Sequence, residues 1–273
     1  MTFFRDKLLR LAFIFIALLF LDACKTVPLS GRRQLALIPA GELHTMSFQA
    51  YADIKDTANV VTNTPDAVMV DRCGRRIQKA VEEYFNERNQ SDILNGFEWE
   101  YILIDEPVVN AWCMPGGKVA FYTGILPYTQ NEEGLAAVMG HEIAHAVAQH
   151  GNERMSQALM VNLGAVALSV ALRDKKEETQ ALFFGAYGIG AQLGAILPFS
   201  RRHESEADKL GLMFMAMAGY NPQEAPKFWE RMTAGSSGQP PEFVSTHPSH
   251  DRRISDLNKH MPEALTYYEM SKN

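Results

Sequence analysis

The sequence predicts an α+β fold, mostly helical, with one small β-sheet. Three observations predict it. Apolar residues recur at helical spacing through long stretches, as Val70, Ile77, Val81 and Tyr84 do. Two short segments, around Trp99 and Phe121, carry the composition of strands. Two further stretches, Ser156 to Leu172 and Gln180 to Ser200, contain no charged residue. The 273 residues are 47% hydrophobic and 21% charged, which suits a packed core and excludes a disordered chain. A net charge of −6 gives no electrostatic case for nucleic acid as a partner.

The N-terminus reads as an export signal over residues 1–23, the alternative being a short N-terminal membrane anchor. Arg5, Lys7 and Arg10 precede an uncharged run from Leu11 to Leu21, too short for a spanning helix of about 20 apolar residues. The stretch LDAC, Leu21 to Cys24, resembles the bacterial lipobox, which makes Cys24 the expected lipidated residue of the mature chain. Lys25 follows it, and the resemblance then implies a lipid anchor at the periplasmic face of the outer membrane of a Gram-negative cell envelope. Residues 24–40 mix Pro, Gly and basic side chains and read as a tether to one domain spanning 41–273. Cys73 and Cys113 remain, and an oxidising compartment makes them a candidate disulfide, the alternative being two buried thiols.

The domain opens with two helices, over AGELHTMSFQAYADIK and PDAVMVDRCGRRIQKAVEEYFNERN. In FEWEYILID, Phe97, Trp99, Tyr101 and Leu103 alternate with Glu98, Glu100 and Ile102, as in a strand with one buried face. A turn at Pro115-Gly116-Gly117 leads to a strand from Val119 to Thr123. Asn131 is the expected N-cap of the next helix, with Glu132 and Glu133 in its first turn and Gly151 as its stop. The two uncharged stretches, joined by RDKKEET, are expected to form a helical hairpin, buried or partly dipped into a bilayer surface, with Gly164, Gly185, Gly188, Gly190 and Gly194 allowing close packing; the alternative is a membrane-spanning pair.

Within the third helix, VMGHEIAHAVAQHGNERM crowds three histidines and two glutamates. His141 and His145 are four apart and share one helical face, with Glu142 between them. This is the H-E-x-x-H arrangement, in which two imidazoles bind Zn²⁺ and the glutamate is general base for the attacking water. An amphipathic helix with a wet stripe fits poorly, because Ala137, Val138, Ala144 and Ala148 surround the pair. A catalytic zinc needs a third protein ligand and one open position. His150, five residues past His145, projects well round a continuous helix and reads as a helix-end cation, with Glu153 as a surface residue. A metzincin pattern fails at Ala148 and Gly151. Asp174, Glu177 and Glu178 read as solvated. In SRRHESEADKLGLMFM, Glu204 and Asp208 share a face while Glu206 points away, so one of the pair can ligate zinc and the other can hold a ligand histidine.

H-E-x-x-H followed by E-x-x-x-D resembles the gluzincin zinc metallopeptidases that include HtpX and the CAAX prenyl proteases. The blocks NAWCMPGGKVAFYTGIL, EEGLAAVMGHEIAHAVAQHG, SRRHESEADKLG and STHPSHDRRI resemble those of the family in the same order. With its lipobox, the chain is most similar to the periplasmic lipoprotein branch, the peptidase domains of LoiP and BepA. The resemblance implies a zincin-type peptidase domain with one zinc per chain, held by His141, His145 and Glu204. Glu142 would be the base, and Asp208 would hold a ligand histidine. His247 and Arg253 match the family's H-P-x-x-x-x-R pattern; His247 would then either stabilise the oxyanion or occupy the open position at rest, with Arg253 orienting it. An extended peptide would add to the edge of the strand at Val119 to Thr123 or the turn before it. The implied activity is a zinc endopeptidase that degrades misfolded or unfolded envelope proteins of the outer membrane. The rival is a proteolytically silent, zinc-stabilised lipoprotein acting as a chaperone or assembly factor.

Overall fold

Thr64 and Asn131 start the two helices on which the rest of the fold is built. Each takes an extended backbone, and each offers its side-chain oxygen to a backbone N–H three residues on, Ala67 at 3.1 Å and Gly134 at 2.9 Å. The computed structural model describes residues 24–192, 196–234, 242–247 and 252–272. In chain order its elements are β1 (Cys24–Thr26), β2 (Arg33–Leu35), α1 (Ala40–Thr57), β3 (Val60–Val61) and α2 (Pro65–Glu87). Next come β4 (Glu100–Ile104), β5 (Ala111–Met114), β6 (Lys118–Tyr122), α3 (Leu126–Thr129) and α4 (Glu132–Val147). The chain continues through α5 (His150–Leu172), α6 (Glu177–Ala191), α7 (Leu197–Met217), α8 (Glu224–Ala234), α9 (Glu242–Thr246) and α10 (Arg253–Met270). The fold is α+β and mostly helical, as its sequence predicts.

The main sheet has the order β3-β4-β6-β5, with β4 and β6 parallel and the other pairs antiparallel. Successive side chains point to opposite faces of a strand. Tyr101, Leu103, Val119 and Phe121 accordingly enter the main core with Val70, Ile77 and Val81 of α2. Ile102, Ile104 and Ala120 instead pack with Tyr51 of α1. The strand at Glu100–Ile104 is thus buried on both faces rather than on one, because α1 covers the side expected to face water. The expected edge at Val119 to Thr123 is also corrected: β6 lies between β4 and β5, and β5 is the outer strand.

The helices α4 and α7 cross at a pair of glycines. A Cβ at Gly140 would meet the Gly211 carbonyl oxygen at 2.6 Å, and a Cβ at Gly211 would meet the His141 nitrogen at 2.6 Å. Only glycines let the two backbones approach this far. The crossing lays one turn of α7 directly against His141.

Three expectations about local structure change. α4 stops at Val147 rather than at Gly151, because Gln149 takes a left-handed backbone (φ 55°) and α5 begins at His150. Cys73 and Cys113 are free thiols, not a disulfide. Cys73 is packed in the core beside Tyr220, where burial pushes it up to about 12, whereas Cys113 lies on β5 next to Glu142. The α5–α6 hairpin is not buried: among the described residues, Leu163, Val166, Val170, Leu182 and Ile189 are each more than half exposed. Its two helices touch where Tyr187 Oη donates to the Val161 carbonyl at 2.8 Å, beside Gly164, while Gly185, Gly188 and Gly190 face open space. Among the described residues, α5 is the one helix long and apolar enough to cross a membrane by length and composition.

The export signal expected over 1–23 lies outside the described residues, and Cys24 begins β1. Residues 24–40, expected as a tether, instead hold the β1–β2 hairpin and dock on α5. Asn152 Nδ2 donates to the Ile38 carbonyl at 2.7 Å, and the Leu37 N–H donates to Ser156 Oγ at 2.9 Å. Arg32 forms ion pairs with Glu153 and Glu206. A basic, proline-containing stretch reads as linker when the carboxylates it meets are more than a hundred residues away.

Candidate metal centre

His141, His145, Glu204 and His247 each turn one ligand atom toward a common point, all within 4.8 Å of one another. His141 Nε2 and His145 Nε2 are 3.1 Å apart, and Glu204 reaches them at 3.3 Å through Oε2 and 3.4 Å through Oε1. His247 Nδ1 lies 3.2 Å from both His141 Nε2 and Glu204 Oε2. Donors held by one zinc at 2.0–2.1 Å and tetrahedral angles stand about 3.3 Å apart. Three imidazole nitrogens and a carboxylate at this spacing therefore fit zinc in both chemistry and distance.

The electrostatics suit a cation. Burial alone would raise Glu204, but His145, His141 and His247 around it hold its carboxyl well below the usual range. Burial holds His145 well below the usual imidazole value, so that it is neutral. Burial works the same way on His141, but hydrogen bonds to Asp208 and Glu204 outweigh it and lift His141 to about 9. Asp208 Oδ1 is 3.0 Å from His141 Nδ1 and also accepts from Arg253 Nη2 at 2.6 Å.

Arg253 is buried at 2% exposure, which demands paired charge and close packing. It lies over the Trp229 ring at 3.4 Å, and its Nη1 donates to the His247 carbonyl at 3.3 Å. One side chain thus ties Asp208 to the backbone carrying His247. That ring stacks on Phe243 with centroids 4.7 Å apart.

Glu142 sits beside the cluster, 2% exposed. Its Oε1 is 3.4 Å from His247 Nε2 and makes no hydrogen bond among the described residues. Burial pushes its carboxyl up, toward the range in which a carboxylate takes and returns a proton. It lines a cleft of about 620 Å³ bounded by β5 through Trp112 and Cys113, by His145 of α4 and by His247. A second, more apolar cavity of about 590 Å³ adjoins the cleft at Pro115, Gly151 and Arg154 and reaches Leu43 and Met46.

His150 and Glu153 differ most from expectation. His150 is neither a helix-end cation nor solvated: it opens α5, is 1% exposed, and burial pushes it down to about 4. Glu153 is not a surface residue; burial opposes its charge, but His203 and Arg32 hold it at about 2. On an unbroken helix five residues would turn His150 about 140° away from His145. The left-handed Gln149 breaks the helix and returns the ring to 2.9 Å from His145. Arg32 had no signal in the sequence beyond its charge. Glu206 does point away from the ligand face, toward His150 and Arg32.

Residues 73–261 match Peptidase family M48. The chain is 34% identical to "Mitochondrial metalloendopeptidase OMA1" of Schizosaccharomyces pombe, covering 98% of this chain and 76% of that protein. It is 36% identical to the protein of the same name in Saccharomyces cerevisiae, covering 71% of this chain and 56% of that one. It is 25% identical to "Beta-barrel assembly-enhancing protease" of Escherichia coli, covering 88% of this chain and 48% of that protein. The expected place at the periplasmic face of the outer membrane is overturned, since relatives 34–36% identical to the chain carry mitochondrial names. The lipobox resemblance rested on four residues, whereas these matches run through the peptidase domain. The chain belongs to peptidase family M48 and is a zinc-dependent metalloendopeptidase.

Proposed function

We propose that the chain cleaves unfolded or flexible polypeptide segments laid along β5, with Glu142 as general base and His141, His145 and Glu204 as the zinc ligands. The observation that carries this reading is the placement of the buried Glu142 in the cleft between β5 and the ligand cluster, its Oε1 3.4 Å from His247 Nε2 and without a hydrogen bond among the described residues. A buried carboxylate oxygen with no hydrogen bond from the protein is free to accept one from a water in the cleft. When bound, zinc supplies Lewis acidity, activating water and polarising the scissile carbonyl.

The chain's own residues do the rest. Among the described residues β5 has an unpaired strand edge, to which an extended peptide adds by main-chain hydrogen bonds that read side chains only loosely. A folded domain cannot present such a strand, so the substrate must be locally unfolded. Glu142 takes the water's proton and passes it to the leaving amine. Asp208 holds His141 through Nδ1, and Arg253 braces Asp208 and the backbone at His247. His247 Nδ1 sits among the ligand atoms, so in our reading its ring would compete with a scissile carbonyl for the same space and would have to turn aside for substrate to bind. The exposed, uncharged arms of the α5–α6 hairpin, Ser156 to Leu172 and Gln180 to Ala191, are the surface we assign to contact with a lipid bilayer.

The test is cleavage of casein by zinc-loaded protein, by protein stripped with a chelator, and after zinc is restored. Loss on stripping and recovery with zinc support the reading. Cleavage that survives complete metal removal overturns it.

A further inference from the structure

The two histidines of the H-E-x-x-H turn are backed differently. His141 has a carboxylate behind it, Asp208. Behind His145 stands another imidazole: the two Nδ1 atoms of His145 and His150 are 2.9 Å apart. Two ring nitrogens at that distance share one hydrogen, so one donates and the other accepts. A ligand His145 must keep the Nε2 lone pair free, which places its hydrogen on Nδ1. His150 then accepts at Nδ1 and carries its own hydrogen on Nε2, 2.9 Å from Glu206 Oε2.

That direction is enforced from the far end. Glu206 accepts from Arg32 Nε at 2.8 Å and from Ser30 Oγ. Arg32 also donates to both oxygens of Glu153, at 3.0 Å and 2.7 Å. Glu153 in turn accepts from His203 Nε2 at 2.8 Å, and the His203 ring stacks on His150 with centroids 4.4 Å apart. A charged guanidinium beside Glu206 leaves that carboxylate only as an acceptor, so His150 can face it only with Nε2–H. The break at Gln149 makes the contact geometrically available.

We propose that His150 is a positioning residue of the metal centre: held by Glu206 and Arg32, it fixes His145 as the Nδ1–H tautomer with Nε2 free for zinc. The proposal rests on the reading of His145 as a ligand. It makes the turn between β1 and β2, which carries Ser30 and Arg32, part of the support of the zinc site.

The test measures zinc affinity by chelator competition, independently of proteolysis. His150→Phe keeps a ring against His203 but can neither donate nor accept, and its zinc affinity should fall about 10–100-fold. His150→Gln can accept from His145 and donate to Glu206, and should bind zinc within about threefold of the parent. Phe binding as tightly as parent, or Gln falling as far as Phe, overturns the proposal. Should His150→Phe not fold, imidazole ¹⁵N correlations of the zinc-loaded parent decide: a hydrogen on His150 Nε2 and none on Nδ1 supports it, and the reverse overturns it. His145→Ala separates the two readings. If that variant binds zinc like the parent, the ligand reading fails. If it loses zinc while His150→Phe binds normally, the relay alone fails.

Discussion

The α4–α7 crossing and the α5–α6 hairpin reverse the usual placement of side chains in opposite directions. The crossing buries His141, Glu142, Glu204 and Asp208, whereas the hairpin exposes Leu163, Val166, Val170 and Leu182. Buried charge and exposed large apolar patches are the two informative departures from ordinary packing. Neither adds stability to the isolated chain. Uncompensated charge in the core costs several kcal/mol per group, roughly, and is retained where paired or bound to a cation. Apolar surface left in water forgoes about 25 cal/mol per Å². Each region is therefore better explained by function than by stability: chemistry at the crossing and, in the function proposed above, contact with a bilayer at the hairpin.

Substitutions can break that contrast or sharpen it. The largest effect is expected at the crossing, where His145→Ala should abolish zinc binding in a chelator titration and casein cleavage with it. Next is Gly211→Val, whose new side chain meets the His141 backbone; we expect a loss of about 1–3 kcal/mol in a denaturant melt, together with weakened zinc binding. His247→Ala should raise the initial rate of casein cleavage, since the ring fills a position a substrate carbonyl needs; a lower rate would make it an oxyanion donor instead. Zinc affinity should also climb with pH. Metal-free His141 is raised to about 9, so zinc displaces its proton below that value, and affinity should gain at most about tenfold per unit before levelling off above it. The same shift implies that His141 stabilises the metal-free fold fully below its unfolded value of about 6.5, a contribution lost as pH rises through about 9. The smallest effect is expected at the hairpin. Val166→Lys should change stability by less than about 0.5 kcal/mol and leave casein cleavage unaltered, while reducing association with phospholipid vesicles.

The contrast also explains what the sequence could and could not convey. His141, Glu142 and His145 follow from spacing on one helix, and the pair Glu204 and Asp208 from spacing on a second, while which of that pair ligates zinc came from the family resemblance. Both are local patterns, and so is the Asn131 cap. His247 and Arg253 came from a motif rather than a period; their convergence on Glu204 and Asp208 depends on where α10 and the chain before it fold back. His150 was misread because one left-handed glutamine, a residue with no special preference for that conformation, resets the helical angle. Arg32 and the outer position of β5 were illegible for a different reason. Each depends on a partner far away in sequence, and composition does not encode such pairings.

The central claim is that Glu142 performs chemistry at a zinc held by its neighbours. Glu142→Gln tests it most directly, with zinc content and casein cleavage measured on the same preparation. One zinc per chain with cleavage reduced to background is the predicted result. Parent-like cleavage by the zinc-loaded variant would contradict it.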